Sequence, residues 1–227
     1  MVRDIFQLLF PLKCPACGKS LFPSEKSICT RCLYYLPRTQ YHLTKNNPVA
    51  RLFWGRVKLT SASSFLRFSP NGRVQRLIHH IKYGKGIESA AMLGELYGKD
   101  LSLSNSFNLI DLIIPVPLHP RKEKKRGFNQ SQIFAQGIAK SLGKPLDSSL
   151  VIRSNDTETQ TKKSRIARWF NVGDAFRVEK ELQLMGKHVL LVDDMVTTGA
   201  TLEACANKIL SVPGTSVSIA TIAVSEI

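Results

Sequence analysis

The sequence predicts an α/β protein: a domain built on a parallel sheet, preceded by a small cysteine-rich ribbon. Three observations predict it. From residue 61 onward, short apolar runs of strand length alternate with longer stretches of helical spacing. One run, "KHVLLVDD" (187–194), is continuously apolar up to its acids, as a strand covered on both faces is. Four of the five cysteines fall into two C-x-x-C pairs near the front. With 227 residues and 43% hydrophobic composition, the chain can bury one good core and carry a small appendage. The expected division is a ribbon over 1–40, a connector over 41–60 and the α/β domain over 61–227.

The first residues, "MVRDIFQLLFPLKC", contain an apolar patch but make a poor signal peptide. Asp4 interrupts it, the apolar run is short, and no small-residue cleavage site follows. Pro11 and Lys13 also spoil it as a lipid-attachment box. Residues 4–10 read as a short, locally packed helix. No uninterrupted apolar run of about 18 residues occurs, so no membrane-spanning helix or membrane insertion is expected. The expected location is cytoplasmic.

The cysteines are "CPAC" (Cys14, Cys17) and "CTRC" (Cys29, Cys32). Each pair forms a tight knuckle offering two thiolates to one ion, and two knuckles make the tetrahedral four-sulfur site typical of structural zinc. Pro15 stiffens the first knuckle, and Gly18 allows the positive-φ turn that aims a backbone N–H at sulfur. Disulfides do not suit a cytoplasmic chain, and a redox dithiol normally comes singly beside a strand–helix unit. A closed four-thiolate site leaves zinc no open position for catalysis. The ribbon is too small to fold on its own core, so the metal should supply its folding energy. Cys205, in a helical run, reads as a small buried residue.

The connector has Pro37, "NNP" at 46–48 and the pair Phe53–Trp54. "SASSFLRF" (61–68) reads as a strand and "SPNG" (69–72) as a turn. "RVQRLIHHIKYG" (73–84) has apolar residues at 74, 77, 78 and 81, the spacing of a helix, with Gly84 as its stop. Its adjacent His79 and His80 point in different directions and read as ordinary helix residues. A second amphipathic helix spans 87–101. Then come a buried strand over 108–117, a helix over 128–143 closed by Gly143, a strand over 148–154, the strand over 187–194, a helix over 199–211 and a final strand over 217–224. In such sheets ligands sit outside the carboxyl ends of the strands. "PVPLH", "RSNDTETQ" and "DDMVTTGAT" should meet there.

"DDMVTTGAT" carries the chemistry. After the strand the chain turns into a helix, so the backbone amides of Thr197, Thr198, Gly199, Ala200 and Thr201 gather at a helix N-terminus, where the dipole favours an anion. Gly199 permits close backbone approach and the threonines add hydroxyl donors. Asp193 and Asp194, one loop away, repel phosphate but accept hydrogen bonds from a sugar diol, and can help to hold a divalent cation nearby. Together these describe a ribose 5-phosphate. A Walker loop would need G-x-x-x-x-G-K and a dinucleotide fingerprint G-x-G-x-x-G, and both are absent. A receiver-type acid pair would stand at the first strand, not near the C-terminus.

"VLLVDDMVTTGAT" resembles the signature of type I phosphoribosyltransferases, which bind 5-phosphoribosyl pyrophosphate (PRPP). "DLIIPVPLHPRKEKKRGFNQSQIFA", with the cysteine ribbon ahead of it, narrows the resemblance to the ComF family (ComFC/GntX-like), competence-associated proteins with a zinc ribbon and a Rossmann-like phosphoribosyltransferase domain. The resemblance covers nearly the whole chain. It implies that Asp193 and Asp194 hold the ribose 2- and 3-hydroxyls, that Thr197 to Thr201 wrap the 5-phosphate, and that Val116, Pro117 and Leu118 form the pyrophosphate loop. Residues 153–176 correspond to the family's lid, matching at Arg153, Thr157, Gln160, Arg168, Asn171, Val172, Ala175 and Phe176. Lys163 stands where an apolar residue is common and Ala167 where an acid is common, so this lid is more basic. If the site turns over, Mg2+ and basic side chains neutralise the pyrophosphate leaving group of an oxocarbenium-like sugar carbon. Arg126, Lys162, Lys163, Arg165 and Arg168 are the candidate pyrophosphate contacts. No feature identifies the acceptor, and an active enzyme of nucleotide metabolism without a DNA role is the alternative reading.

Charge supplies the second line of inference. Lys and Arg number 32 against 17 Asp and Glu, a net +15. Residues 1–60 hold ten basic and two acidic residues. Such a field attracts polyanions. "HPRKEKKRGFNQ" sets basic residues beside Phe128, and the lid interleaves Arg165 and Arg168 with Trp169 and Phe170. Cations that track phosphates and rings that stack on bases suit single strands, although Trp169 and Phe170 equally suit packing of the lid onto the core. The family resemblance likewise implies handling of single-stranded DNA during uptake, with a helicase or recombination protein as a fitting partner.

Overall fold

The computed structural model describes residues 12–83, 86–153 and 175–225. The expected helix at 4–10, the stop at Gly84 and lid residues 154–174 lie outside these, and with them Lys162, Lys163, Arg165, Arg168, Trp169 and Phe170. Among the described residues, no helix is long and apolar enough to cross a membrane.

Four parallel strands form the sheet: β1 (Ser61–Arg67), β2 (Leu112–Pro115), β5 (His188–Val196) and β6 (Ser216–Val224), in the order β1-β6-β5-β2. Successive side chains of a strand point to opposite faces, and β2, β5 and β6 divide most of their apolar residues accordingly. Leu190, Val192, Ala220, Ile222 and Ile113 enter one core; Val189, Leu191, Val217, Ile219 and Ile114 enter the other. Both faces being apolar is why β5 reads as an unbroken hydrophobic run.

The first face carries α3 (Arg73–Tyr83), α4 (Ile87–Ser102) and α7 (Gln130–Leu142). Two glycines let α4 and α7 meet at backbone distance: a Cβ on Gly94 would stand 2.2 Å from Phe134 O, and one on Gly137 2.3 Å from Ala91 O. Tyr97, fully buried, donates to Ser63 Oγ at 2.7 Å, so its hydroxyl is satisfied inside the core. The second face carries α9 (Ala200–Leu210) and the short α2 (Pro48–Arg51).

The cysteine ribbon packs on the first face. Cys14, Cys29 and Cys32 share a core cluster with Leu77, Ile81 and Leu93, and Arg76 Nε donates to Ala16 O at 2.7 Å. A short helix, α1 (Thr30–Tyr34), carries the end of the second knuckle. The chain then runs antiparallel along β1, with Arg67 N donating to Pro37 O and Thr39 N to Phe65 O. Residues 41–60 add a 3-10 turn at Tyr41–Leu43 and α2, and they bury Val49 and Phe53 in the second core. Asn47 fixes this stretch: its Nδ2 reaches the carbonyls of Tyr41, Thr44 and Ala62, and its Oδ1 caps Ala50 N.

The strand expected over 148–154 does not join the parallel sheet. Residues 145–147 touch the β2 edge, where Ile113 N donates to Pro145 O and Asp147 N to Ile113 O. Asp147 Oδ1 then accepts from Ser149 N and Oγ, an Asx turn that redirects the chain. Beyond that turn the chain forms β3 (Val151–Arg153), paired antiparallel with β4 (Phe176–Val178). The basic stretch after β2 forms a helix that apolar periodicity could not signal: α6 (Pro120–Arg126), capped by His119 and ended by Gly127 at φ 84°. Two short helices, α5 (Asn105–Asn108) and α8 (Glu181–Leu184), complete the architecture.

Candidate functional site

The metal centre comes first along the chain. The Sγ atoms of Cys14, Cys17, Cys29 and Cys32 all lie within 4.8 Å of one another. Gly18 takes φ +76°, and the amide of Lys19 bonds the Cys17 sulfur, which holds that thiol down at about 7. Cys29 N approaches Cys14 Sγ and Cys32 N approaches Cys29 Sγ, each at 3.4 Å. Burial raises Cys29 and Cys32 above the ordinary thiol value, a cost that a bound cation reverses by stabilising thiolates. Four sulfurs with amide support fit a tetrahedral ion, and zinc bound there would supply folding energy to the ribbon. Glu25 bridges the loop, accepting from Phe22 N at 2.8 Å and Thr30 N at 2.6 Å.

The acid pair stands near the carboxyl end of β5, which runs on to Val196 rather than stopping at the acids. Asp193 Oδ1 accepts from Ser131 Oγ and from Asp194 N, both at 2.8 Å. Ser131 is buried in the first turn of α7, whose N-cap Asn129 also donates to Val116 O at 3.0 Å. Asp194 Oδ2 lies 3.1 Å from Lys82 Nζ on the last turn of α3. Burial of its carboxyl, and then the neighbouring Asp194, push Asp193 up to about 7.

The cradle comes directly after the pair. Gly199 is in the left-handed region at φ 77° and caps α9, whose first amides have no partner within the helix. Residues Thr197 to Thr201, with Asp193 and Met195, line a cavity of about 60 Å3 at that end. This is room for one phosphate-sized group. Arg56, in the 41–60 segment, donates to Thr198 O at 2.8 Å and pairs with Glu203 on α9, so it fastens the cradle from outside.

Val116 continues from β2, with its N–H on Val192 O at 2.8 Å. Pro117 and Leu118 line a second cavity of about 260 Å3, shared with Asn129 and Arg153. Of the three loops expected at the strand ends, the start of "PVPLH" thus lies beside β5, which carries "DDMVTTGAT", and of "RSNDTETQ" only Arg153 belongs to the described residues. Arg126 lies with its guanidinium 5.4 Å from the Tyr83 ring centre and donates to Gln130 Oε1 at 2.6 Å. Lys82 and Arg56 carry no mark in the sequence, and Asn129 and Ser131 fall in the "RGFNQS" stretch that carries the family resemblance without any sign there that they would meet the acid pair. The site forms only when β5 is set beside α3 and α7.

Residues 129–225 match the family described as the phosphoribosyl transferase domain. Sheet, acid pair and cradle thus define a phosphoribosyltransferase-type domain. The chain belongs to the ComF family: it is 34% identical over 205 residues to the DNA utilization protein YhgH of Shigella flexneri, covering 87% of this chain and 83% of that protein. It is also 33% identical over 105 residues to competence protein F of Haemophilus influenzae, covering 46% of each. Over 99 residues it is 33% identical to competence protein ComFC of Bacillus subtilis, covering 44% of this chain and 38% of that one.

Proposed function

We propose that this protein binds the ribose 5-phosphate moiety of PRPP with magnesium and uses that capacity while handling single-stranded DNA in uptake or processing. One observation carries the first half: a phosphate-sized cavity at the α9 N-terminus shares Asp193 with an acid pair that is hydrogen-bonded in place. Asp193 and Asp194 would take the 2- and 3-hydroxyls, Thr197 to Thr201 the 5-phosphate, and Val116 to Leu118 with Arg126 the diphosphate. Among the described residues the only cluster fit to hold an ion is that of the four cysteines, so magnesium would arrive with the diphosphate and help to neutralise its charge. Zinc belongs to the four cysteines.

The DNA half is supported by the names of the relatives and by the surface. Arg73 stacks near Tyr35 and Arg126 near Tyr83, and both rings are more than half exposed. Helix α6, "PRKEKKR", buries no residue. Cation–ring pairs, one of them made by the basic helix itself through Arg126, suit a flexible strand, and a helicase or recombination protein fits that task as partner. The boundaries 1–40, 41–60 and 61–227 and a cytoplasmic location belong to the same reading.

Calorimetry with PRPP and magnesium tests the sugar-phosphate half: wild type should bind, and the D193N/D194N double variant should lose about tenfold or more. Single-strand binding titrated against salt tests the other. Affinity should fall steeply with salt, and a flat response would contradict phosphate contacts.

A further inference from the structure

We propose that Lys82 is a positioning residue of the sugar-phosphate site: it fixes Asp194 and offsets the charge of the acid pair, so that the pair accepts the hydroxyls of an anionic sugar. The inference rests on the ribose-phosphate reading of the site. Lys82 lies outside the stretch matched to the phosphoribosyl transferase domain, and the site takes this cation from a helix of the first core face.

Geometry supports the assignment. Lys82 Nζ stands 3.1 Å from Asp194 Oδ2, and the two side chains are only 22% and 14% exposed. An ion pair so withdrawn from water cannot lose one partner without stranding the other charge. The helix that delivers Lys82 is rigidly seated. Val74, Leu77, Ile78 and Ile81 are buried, and Arg76 is bonded to the ribbon through Ala16 O.

The hydrogen-bond pattern explains what the ammonium does. Ser131 and the Asp194 amide both address Asp193 Oδ1, and Lys82 addresses Asp194 Oδ2. The oxygens left over from these donors are Asp193 Oδ2 and Asp194 Oδ1, one on each acid, the number a vicinal diol needs. Without Lys82, Asp194 loses its orienting partner. Two adjacent carboxylates would then face a phosphate dianion only one loop away, without the ammonium that offsets their repulsion.

The test compares affinities for ribose 5-phosphate and inorganic phosphate by calorimetry in wild type, K82M, K82Q, K82R and D194N. Inorganic phosphate occupies the cradle but carries no diol. The ratio of ribose 5-phosphate to phosphate affinity should fall about tenfold in K82M and K82Q. K82R should restore most of it, and adding K82M to D194N should cost little more, since the two changes break one interaction. A merely structural role, or charge offset without positioning of Asp194, would lower both affinities together and leave the ratio alone. An unchanged ratio in K82M and K82Q, with wild type binding the sugar phosphate, overturns the role of Lys82 and spares the site. A wild type that binds neither ligand overturns the ribose-phosphate reading and the role of Lys82 with it.

Discussion

A Cβ placed on Gly199 would stand 2.8 Å from Cε1 of Phe53, so the tightest point of the cradle is moulded on a ring from the segment before the sheet. Gly199 also holds φ 77°. Two constraints therefore exclude a side chain there: a left-handed backbone costs an ordinary residue about 1–2 kcal/mol, and the ring must move. G199A should lower the melting temperature and remove phosphate and sugar-phosphate binding together. Calorimetry alongside a thermal melt reads both, and unimpaired phosphate binding would show that the backbone there does not form the anion site.

Asp193 should make the fold weaker at neutral pH. Its folded carboxyl titrates at about 7, against about 3.9 in an unfolded chain. Between those values the native state holds the extra proton, so this group's contribution to stability falls as pH rises through the window. D193N cannot ionise, yet its amide oxygen can still accept from Ser131. D193N should therefore melt above wild type at pH values above about 7, with the advantage vanishing toward about pH 4. Melts across that range check it; a variant that is less stable than wild type at every pH would contradict the buried-acid account.

Metal removal should be felt beyond the ribbon. Cys14, Cys29 and Cys32 belong to the same apolar cluster as Leu77 and Ile81, and Arg76 ties α3 to Ala16 O between the first two cysteines. Because α3 also carries Lys82, loss of a metal held by the four cysteines should loosen the proposed sugar-phosphate site from a distance. One zinc per chain is expected by metal analysis. C14S or a strong chelator should lower the melting temperature and weaken ribose 5-phosphate binding. Binding that survives full chelation unchanged would separate the two centres.

Strands β2, β5 and β6 are legible in the sequence because each is a short run rich in apolar residues next to a helix of clear spacing, and β1, "SASSFLR", is legible by its alternation. The acid pair and the Thr/Gly turn are legible because their chemistry is local: strand end, carboxylates and helix start are consecutive in the chain. The parts that escape a reading of the sequence are assembled across the chain. Lys82 and Asp194 are over a hundred positions apart, as are Arg56 and Thr198, and nothing local marks a lysine or arginine as their partner. Helix α6 escapes for a different reason. It buries nothing, so it has no apolar period and is set only by His119, Pro120 and Gly127 at its ends. The strand after Asp147 is legible as a strand but not in its pairing, since its three residues give no sign of whether their partner is β2 or β4.

The most direct measurement is a crystal of the zinc-loaded protein soaked with ribose 5-phosphate. Density should place the phosphate over the amides of Thr197 to Thr201 and the 2- and 3-hydroxyls within hydrogen-bond reach of Asp193 and Asp194. A sugar phosphate bound elsewhere, or an empty cradle at saturating ligand, would contradict the account.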